Sequence, residues 1–209
     1  MRGKRKLKGH WVNGVEEEKE RRRNKEENQT PQHKKNQTTP DGVGEKKNRN
    51  EERVKMADKK LKVCLVGSSG GHLTHLYMLK PFWQDKDRFW VTFDKEDARS
   101  LLKGEKMYSV YYPSNRSIKA LLINTWRALK ILPKEKPDLI ISSGAAPAIP
   151  FFWIGKLMGA KTIYIEVFDR IDASTIAGKL CYPVADKFIV EWEEMKKVYP
   201  KAVNLGSIF

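Results

Sequence analysis

The stretch LKVCLVGSSGGHLTH, residues 61–75, decides the fold of this chain. A mainly apolar run, 61–66, is followed at once by serines and glycines, and then by two of the chain's four histidines, His72 and His75. Continuous apolar runs are typical of strands buried on both faces of a parallel sheet. Glycines directly after such a strand free backbone N–H groups at the start of a helix, which suits an anion such as phosphate. The stretch therefore predicts a strand, an anion-binding turn and a helix.

The same rhythm continues to the C-terminus. Five further apolar runs of strand length alternate with segments of mostly helical length. This alternation predicts an α/β fold, a Rossmann-like parallel sheet with helices on both faces. The predicted strands are 61–66, 88–93, 107–112, 138–142, 161–166 and 187–191, and the predicted helical segments are 72–80, 97–105, 117–132, 148–159 and 175–183.

Charge and apolar content divide the chain, which has 209 residues and a formal net charge of +15. Residues 1–55 carry 17 Lys and Arg against 10 Asp and Glu, with few apolar side chains. Such a segment cannot bury enough surface to offset the entropy lost on ordering, so we predict a disordered, charged tail. Residues 56–209 are long enough for one domain with its own core.

The basic tail has two interpretations. It resembles an arm for nucleic acid or anionic lipid, but the acidic runs 16–18 and 51–52 interrupt its charge and aromatic residues do not alternate with its basic ones. We therefore expect no nucleic-acid partner. Alternatively, residues 51–55 can be encoded by a purine-rich stretch that resembles a ribosome-binding site, so that Met56 is the natural start and the tail is not native.

Targeting, metal and cofactor signals are missing from the sequence. No stretch approaches the roughly 20 apolar residues of a spanning helix, and the best candidate, 145–155, contains two prolines. Cys64 and Cys181 lie in apolar surroundings and do not have CxxC spacing. This predicts two buried thiols rather than a disulfide or a metal site. We expect a cytoplasmic protein with neither a metal nor a cofactor of its own.

Three loops follow strands of the predicted sheet, at the edge where open parallel sheets bind ligands. The first is neither a Walker A loop nor GxGxxG, because no Lys-Ser/Thr follows and position 69 is serine. The second also leaves its strand through small residues, and two such turns together can hold a diphosphate. The candidate binding residues are Ser68, Ser69, Gly70 and Gly71 in the first loop, Ser143, Gly144 and Ala145 in the second, and Glu166, Arg170, Ser174, Thr175 and Lys179 in and after the third.

The third loop carries charge. Arg170 or Lys179 could neutralise a phosphate, and Glu166 could accept a sugar hydroxyl. Each residue alone also fits a solvated loop or a plain helix cap, as at Ser174. Asp94, at the end of the second predicted strand, occupies the place of the ribose-binding acid of dinucleotide folds, which keeps an oxidoreductase open as an alternative.

Three stretches carry a resemblance to a known family: GSSGGHL (67–73), KPDLIISSGAAPAIPFFWIGKLMGAKTIYIE (136–166) and RIDASTIAGKLCYPVADKFIVEWEE (170–194). They resemble the acceptor-side, membrane-anchor-type subunit of two-part GT-B glycosyltransferases of the asparagine-linked-glycosylation family. The resemblance is closest to bacterial capsule and exopolysaccharide members, described as enhancers of a galactosyltransferase or glucuronosyltransferase, and above all of a β-1,4-galactosyltransferase. It extends more distantly to the N-terminal half of the peptidoglycan N-acetylglucosaminyltransferase.

The resemblance implies the N-terminal half of an inverting GT-B enzyme divided between two chains. It implies a donor-half partner that holds most of the UDP-sugar, an undecaprenyl-diphosphate-linked sugar acceptor, and galactose as the transferred sugar in capsular or exopolysaccharide synthesis. Alone, the chain is expected to be inactive, and residues 192–209 are expected to contact the partner. The eukaryotic subunits carry an N-terminal transmembrane anchor that nothing here replaces, so we expect peripheral attachment at the inner face of the plasma membrane.

His72 is the candidate catalytic residue. An inverting transferase needs a base for the proton of the acceptor hydroxyl, and histidine titrates in the useful range. His72 could act as that base, contact the phosphate or acceptor, or be structural, and Asp94 is a weaker candidate base. His75 lies on the same helix face as His72 and could help to bind a metal, although no third ligand is apparent. A non-catalytic scaffold that stabilises or recruits the transferase also remains open.

The segment 117–132 forms an amphipathic pattern. Ile118, Leu121, Leu122, Leu129 and Leu132 share one arc of a helix, and Lys119, Arg127, Lys130 and Lys134 share another, with Trp126 on the border. A basic helix of this kind can lie on an anionic bilayer through Trp126, Arg127 and Lys130. It can equally pack on the sheet with a solvated basic face.

Overall fold

Seven parallel strands form one sheet in the order β3-β2-β1-β4-β5-β6-β7. The computed structural model describes residues 60–113, 117–169 and 171–207, so that the predicted tail 1–55, the Met56 start and Arg170 lie outside the described residues. The strands are β1 Lys62–Val66, β2 Asp87–Phe93, β3 Met107–Val110, β4 Leu139–Ser142, β5 Lys161–Ile165, β6 Lys187–Val190 and β7 Val203–Asn204.

Six α-helices and two short 3-10 helices connect the strands in the described residues. The helices are α1 Gly71–Tyr77, α2 Lys80–Trp83, α3 Glu96–Leu101, α4 Ile118–Glu135, α5 Ala148–Leu157 and α6 Ile176–Cys181, and the 3-10 turns are Tyr182–Val184 and Glu193–Lys197. The strand order reverses between β1 and β4, and right-handed crossovers then put helices on both faces of the sheet. Helices α4, α5 and α6 pack side by side. The predicted α/β, Rossmann-like fold is confirmed.

The centre of the sheet lies in the core. Val63 to Val66 of β1 are fully shielded from solvent, as are Phe89 to Val91 of β2. This burial on both faces is what the uninterrupted apolar runs predicted. Cys64 and Cys181 are buried free thiols, as expected, and burial raises the pKa of each.

Element ends differ from the predictions for identifiable reasons. The predicted helix 72–80 divides into α1 and α2, because Pro81 has no N–H and its ring obstructs continuation of α1. Strand β3 ends at Val110 because the backbone of Tyr111 pairs with the Asn124 side chain, at 2.7 Å and 3.3 Å, and not with a strand. Helix α4 continues through Pro133 and ends where Lys136 takes a left-handed φ of 47°. The two-residue strand β7 was not predicted.

Ion pairs cluster at the edge where the strands begin. Glu135 is buried at the end of α4 and accepts hydrogen bonds from Lys62 and Lys106, each at 2.8 Å, and from the Tyr108 hydroxyl. Burial alone would raise the pKa of Glu135, but these three donors lower it to about 2. Asp186 similarly pairs with Lys156 at 2.6 Å and Lys161 at 3.3 Å.

Among the described helices, none combines the length and the apolar character needed to cross a membrane.

Candidate functional site

A cleft of about 970 Å³ lies at the carboxyl ends of the strands, where the strand order reverses between β1 and β4. All three predicted loops contribute to it. The predicted residues that line the cleft are Ser68, Ser69, His72, Ala145, Glu166, Ser174 and Thr175. Residues from loops more than 70 positions apart in sequence therefore share one surface, as expected for a parallel sheet.

The first two loops are joined by a reciprocal pair of hydrogen bonds. The Nδ1 atom of His72 lies 2.8 Å from the carbonyl oxygen of Ser143, and the Ser143 hydroxyl donates to the carbonyl oxygen of His72 at 2.8 Å. Because a carbonyl oxygen only accepts, Nδ1 carries the proton in the neutral ring and Nε2 carries the lone pair. Ser143 is fully buried, so it acts through His72 and does not line the cleft.

Gly144 lets the second loop approach His72. Its φ is 117°, and a Cβ added there would lie 3.0 Å from Cε1 of His72 and 3.1 Å from the Tyr164 hydroxyl. Ala145 follows with a φ of 72°, in the left-handed region that favours glycine. Strained backbone of this kind persists where the surrounding structure fixes it. The second loop thus fixes the position of the His72 imidazole.

The glycines of the first loop, which we expected to bind an anion, do not line the cleft. The N–H of Gly70 donates to the Asp97 carboxylate at 2.6 Å, and neither Gly70 nor Gly71 lines the cleft. An acidic side chain from the start of α3 therefore already occupies this predicted anion donor. The hydroxyls of Ser68 and Ser69, which do line the cleft, remain the polar groups of this loop.

The third loop contributes a buried carboxylate. Glu166 is 1 % exposed and accepts hydrogen bonds from Thr175 at 3.3 Å and from the Tyr199 hydroxyl at 3.2 Å. Thr175 also caps α6, because its Oγ1 accepts from the Gly178 N–H at 2.9 Å. A Cβ at Gly178 would collide with Glu166 and Tyr199. The backbone of α6 therefore closes tightly over this carboxylate.

Lys179 does not supply the predicted cation to the described cleft. Lys179 is exposed on α6 and does not line the cleft, and Arg170 lies outside the described residues. Lys95, at the start of α3, does line it and was missed, as were Tyr164 and an apolar wall. The sequence signal for Lys95 was its place directly after Asp94 at the end of β2. The apolar residues that line the cleft are Phe93, Tyr112, Ile118, Leu121, Ile149, Ile176 and Leu180.

Tyr164 is the buried polar group at the floor of the cleft. It is fully buried, and its ring stacks on Phe188 at 4.8 Å between centroids. Burial, and then the nearby Glu166 carboxylate, raise the pKa of Tyr164 well above its usual value, so the phenol stays protonated. Its hydroxyl faces Gly144, next to His72.

Two other candidates have different partners from those expected. Nε2 of His75 lies 2.6 Å from Glu191, both side chains being buried, and Glu191 also accepts from Ser207 at 2.9 Å. No group of three metal-ligating residues occurs among the described residues, and His75 is a buried hydrogen-bond partner of Glu191. Asp94 pairs with Arg99 at 2.6 Å, which lowers the pKa of Asp94, and it does not line the cleft. A ribose-binding or base role for Asp94 is therefore not supported.

Helix α4 buries only part of the apolar arc that its sequence shows. Its buried side chains include Ala120, Asn124, Ala128, Ile131 and Leu132. Most of the apolar arc is exposed, with Ile118 at 77 %, Leu122 at 66 % and Leu129 at 53 %. Trp126 is 58 % exposed beside them, with Lys130 Nζ 3.5 Å from its ring centroid.

Arg127 does not share this exposed stripe. It is half-buried and donates to the carbonyl oxygen of Ser109 at 2.7 Å, which ties α4 to strand β3. The exposed charges near the stripe include Lys119 and Lys130.

The strand order and the cleft define the class of protein: one Rossmann-like domain of the type found in GT-B glycosyltransferases. Solved structures support this class. The chain superposes on Acinetobacter baumannii MurG with a TM-score of 0.53 at 17 % identity, covering 64 % of this chain and 42 % of that one. The superposition on a UDP-N-acetylglucosamine 2-epimerase from Rickettsia bellii has a TM-score of 0.55 at 16 % identity and covers 71 % of this chain and 45 % of that one. The chain thus spans less than half the length of these two proteins, and the likeness concerns the fold.

Sequence comparison is more specific. Residues 92–208 match the family described as "Oligosaccharide biosynthesis protein Alg14 like". The UDP-N-acetylglucosamine transferase subunit ALG14 of Rattus norvegicus is 31 % identical over 179 residues, covering 71 % of this chain and 83 % of the relative, and that of Homo sapiens is 26 % identical with the same coverage. The chain belongs to the Alg14-like family.

Proposed function

We propose that this chain is the acceptor-binding subunit of a heteromeric inverting glycosyltransferase. The observation that supports it is the cleft at the strand-order reversal, which joins a fixed imidazole, serine hydroxyls and a buried carboxylate to an apolar wall. Such a cleft suits an amphipathic molecule whose polar part reaches His72 and whose apolar part leaves past Ile118 and Ile176. A lipid-diphosphate-linked sugar has this chemistry.

In this proposal His72 is the general base. Its Nδ1–H donates to the Ser143 carbonyl, so the lone pair on Nε2 takes the proton from the acceptor hydroxyl. The oxygen then attacks the anomeric carbon of the donor sugar from the face opposite the UDP, the bond to UDP breaks, and the configuration inverts. The buried carboxylate of Glu166 accepts a hydrogen bond from a sugar hydroxyl, and Ser174 and Thr175 border the same place.

The donor half is supplied by a partner chain. A GT-B enzyme closes two Rossmann-like domains around its substrates, and closure excludes water from the reacting atoms. In this proposal the described domain is one of the two, and UDP-sugar binding falls mainly to the partner. The proposed contact includes residues 192–209, which follow β6 and include the edge strand β7 with the half-exposed Val203.

Two versions of this proposal differ in the sugar that is transferred. The resemblance to capsule and exopolysaccharide enhancers favours galactose on an undecaprenyl-diphosphate-linked acceptor. The relatives named above are subunits of a UDP-N-acetylglucosamine transferase, which favours N-acetylglucosamine. We take galactose in capsular or exopolysaccharide repeat-unit synthesis as the version to test first.

Reconstitution tests the proposal. Each chain is purified and assayed alone and then mixed, with UDP-galactose and UDP-N-acetylglucosamine as competing donors and a lipid-diphosphate-linked sugar as the acceptor. We expect transfer only from the mixture. Full activity of this chain alone would overturn the two-part proposal, and preference for N-acetylglucosamine would overturn only the choice of sugar.

The partner contact has its own variant. Truncation after Lys187 would remove Met195 and Tyr199 from the core, so a surface substitution is the better probe. Val203→Arg places a charge on the open edge of the sheet, and Lys103→Glu, an exposed residue near the opposite edge, is the control. We expect only the first to weaken association, and equal association of both would contradict the proposed interface.

A peripheral position on an anionic membrane surface at the cytoplasmic side completes the proposal. The exposed apolar stripe of α4 continues over the neighbouring helices, with lysines beside it. Its members on α5 and α6 are Trp153, Leu157, Ile176 and Leu180. A Leu122→Ser, Trp126→Ser, Lys130→Ser variant keeps the structural Arg127 and should lose sedimentation with anionic vesicles. Unchanged sedimentation would reject this surface.

One observation favours a second function, a non-catalytic scaffold for the transferase chain. Both Nδ1 of His72 and the Ser143 hydroxyl serve to join two loops, which is also what a purely structural histidine would do. A His72→Gln chain that stimulates its partner as fully as the unsubstituted chain would establish the scaffold.

A further inference from the structure

Lys95 is held at the mouth of the cleft by the short acidic segment around it. Its own N–H donates to the carbonyl oxygen of Phe93 at 2.9 Å. On either side, Asp94 is clamped by Arg99 at 2.6 Å and 2.9 Å, and Asp97 accepts from the Gly70 N–H at 2.6 Å. These contacts therefore fix the backbone around Lys95 next to the first loop.

The Lys95 ammonium group rests on an aromatic face. Nζ lies 4.0 Å from the ring centroid of Tyr112, and that ring packs edge-on against Phe93 at 5.1 Å. Within the described ranges, no carboxylate forms an ion pair with Lys95. Of the residues that line the described part of the cleft, it alone is a lysine or an arginine. A cation–π interaction with an exposed ring is weak. The ammonium group can therefore exchange it for a stronger charge-assisted hydrogen bond to a phosphate.

The surroundings of Lys95 indicate what kind of phosphate it would meet. Ser68 and Ser69 lie on the same cleft, and the apolar side chains of Ile118, Leu121 and Ile176 line it as well. A ligand that uses both parts has a phosphate group joined to a hydrocarbon chain.

We infer that Lys95 binds the diphosphate of the lipid-linked acceptor, with Tyr112 as the resting place of the ammonium group when the cleft is empty. This inference rests on the proposed function and assigns the cation of the acceptor site to the end of β2. The third loop and α6, where Arg170 and Lys179 were the candidates, are not needed for it. The serine hydroxyls of the first loop complete the contact.

Binding to the isolated chain tests the inference without any transfer assay. The probes are farnesyl diphosphate, farnesol and UDP, measured by calorimetry with the unsubstituted chain, Lys95→Met, Lys95→Arg and the exposed-lysine control Lys103→Met. Loss of one charge-assisted contact predicts about tenfold weaker binding of farnesyl diphosphate to Lys95→Met. Farnesol binding should be unchanged, Lys95→Arg should retain most of the affinity, and Lys103→Met should match the unsubstituted chain. Because Lys95 is exposed, the substitution should leave the unfolding transition in place.

Three results would overturn the inference. The first is equal binding of farnesyl diphosphate by the unsubstituted and Lys95→Met chains. The second is a loss of farnesol binding in Lys95→Met as large as its loss of farnesyl diphosphate binding. The third is a loss of binding in Lys95→Met for UDP alone, which would assign the bound diphosphate to the nucleotide. Reconstituted transfer is scored separately. Unaltered farnesyl diphosphate binding by Lys95→Met, together with transfer by the unsubstituted pair, refutes the role of Lys95 alone. Weakened binding by Lys95→Met, without any transfer by the unsubstituted pair, refutes the proposed function.

Discussion

The two edges of the sheet use charged side chains in opposite ways. At the edge where the strands begin, Glu135 and Asp186 are each bound by two lysines. At the edge where the strands end, His72, Glu166 and Lys95 line a cleft. The charges of Glu135 and Asp186 are neutralised within the fold, whereas His72, Glu166 and Lys95 line a space large enough for a ligand. Residues at the first edge should therefore determine stability, and those at the second edge should determine binding and turnover.

The largest expected effect is at His72. Loss of a general base lowers turnover by about 10²- to 10⁴-fold, so His72→Ala should reduce kcat of the reconstituted pair within that range. Steady-state kinetics of the reconstituted pair measures kcat and KM.

A wild-type rate for His72→Ala would remove this residue from the chemistry. A raised KM with unchanged kcat would instead assign it to acceptor binding. Unfolding of the variant in urea serves as the control, because a residue of the functional edge should change stability much less than turnover.

Gly144 sharpens the comparison because it supports the functional edge through its backbone. Gly144→Ala combines a left-handed φ with a crowded Cβ beside His72, and we expect a loss of about 3 kcal/mol in the free energy of unfolding. Gly104→Ala is the matched control, since Gly104 also has a positive φ, 85°, but no atom lies within 4 Å of its Cβ position. It should cost about 1 kcal/mol. Equal losses in urea denaturation would show that crowding at His72 contributes nothing.

Glu135 probes the opposite edge. Its pKa is about 2 in the folded chain against an ordinary value of 4.5, so its ionised form stabilises the fold. That stabilisation is fully present above about pH 4.5 and is lost as the pH falls towards 2, in total about 3 kcal/mol. Glu135→Gln should lower stability at neutral pH by about 2 kcal/mol and flatten its dependence on pH below 5.

Urea denaturation between pH 2.5 and pH 7 measures this effect, with the exposed Glu194→Gln as the control. Turnover of the folded Glu135→Gln pair should equal that of the unsubstituted pair. A loss of turnover without a loss of stability would break the division between the two edges.

The strands could be predicted because their apolar runs reflect burial on both faces, which is a local property. The cleft was predicted in outline for the same reason, since a parallel sheet brings the ends of its strands together. What escaped prediction depends on tertiary partners. Nothing local to Asp97 indicates that it takes the Gly70 N–H, and nothing local to His75 indicates that it pairs with Glu191, 116 residues away.

Helix α4 shows the limit most clearly. Its apolar arc was visible in the sequence, but the pattern alone does not determine which face meets the sheet. Small residues, Ala120 and Ala128, permit close packing there, and Asn124 is buried because it satisfies the backbone of Tyr111. The larger apolar residues Leu122 and Leu129 are consequently left outside.

The central position of β1 has a consequence for synthesis of the chain. β1 pairs on one side with β2, which follows closely in sequence, and on the other with β4, where Val63 lies beside Leu139. A nascent chain that has not yet emerged as far as residue 142 therefore leaves one side of β1 bare, although Val63–Val66 are fully buried in the finished protein. Unpaired apolar edges of this kind invite aggregation, and parallel pairing over long sequence distances is slow. We expect the emerging chain to depend on chaperones until β4 leaves the ribosome.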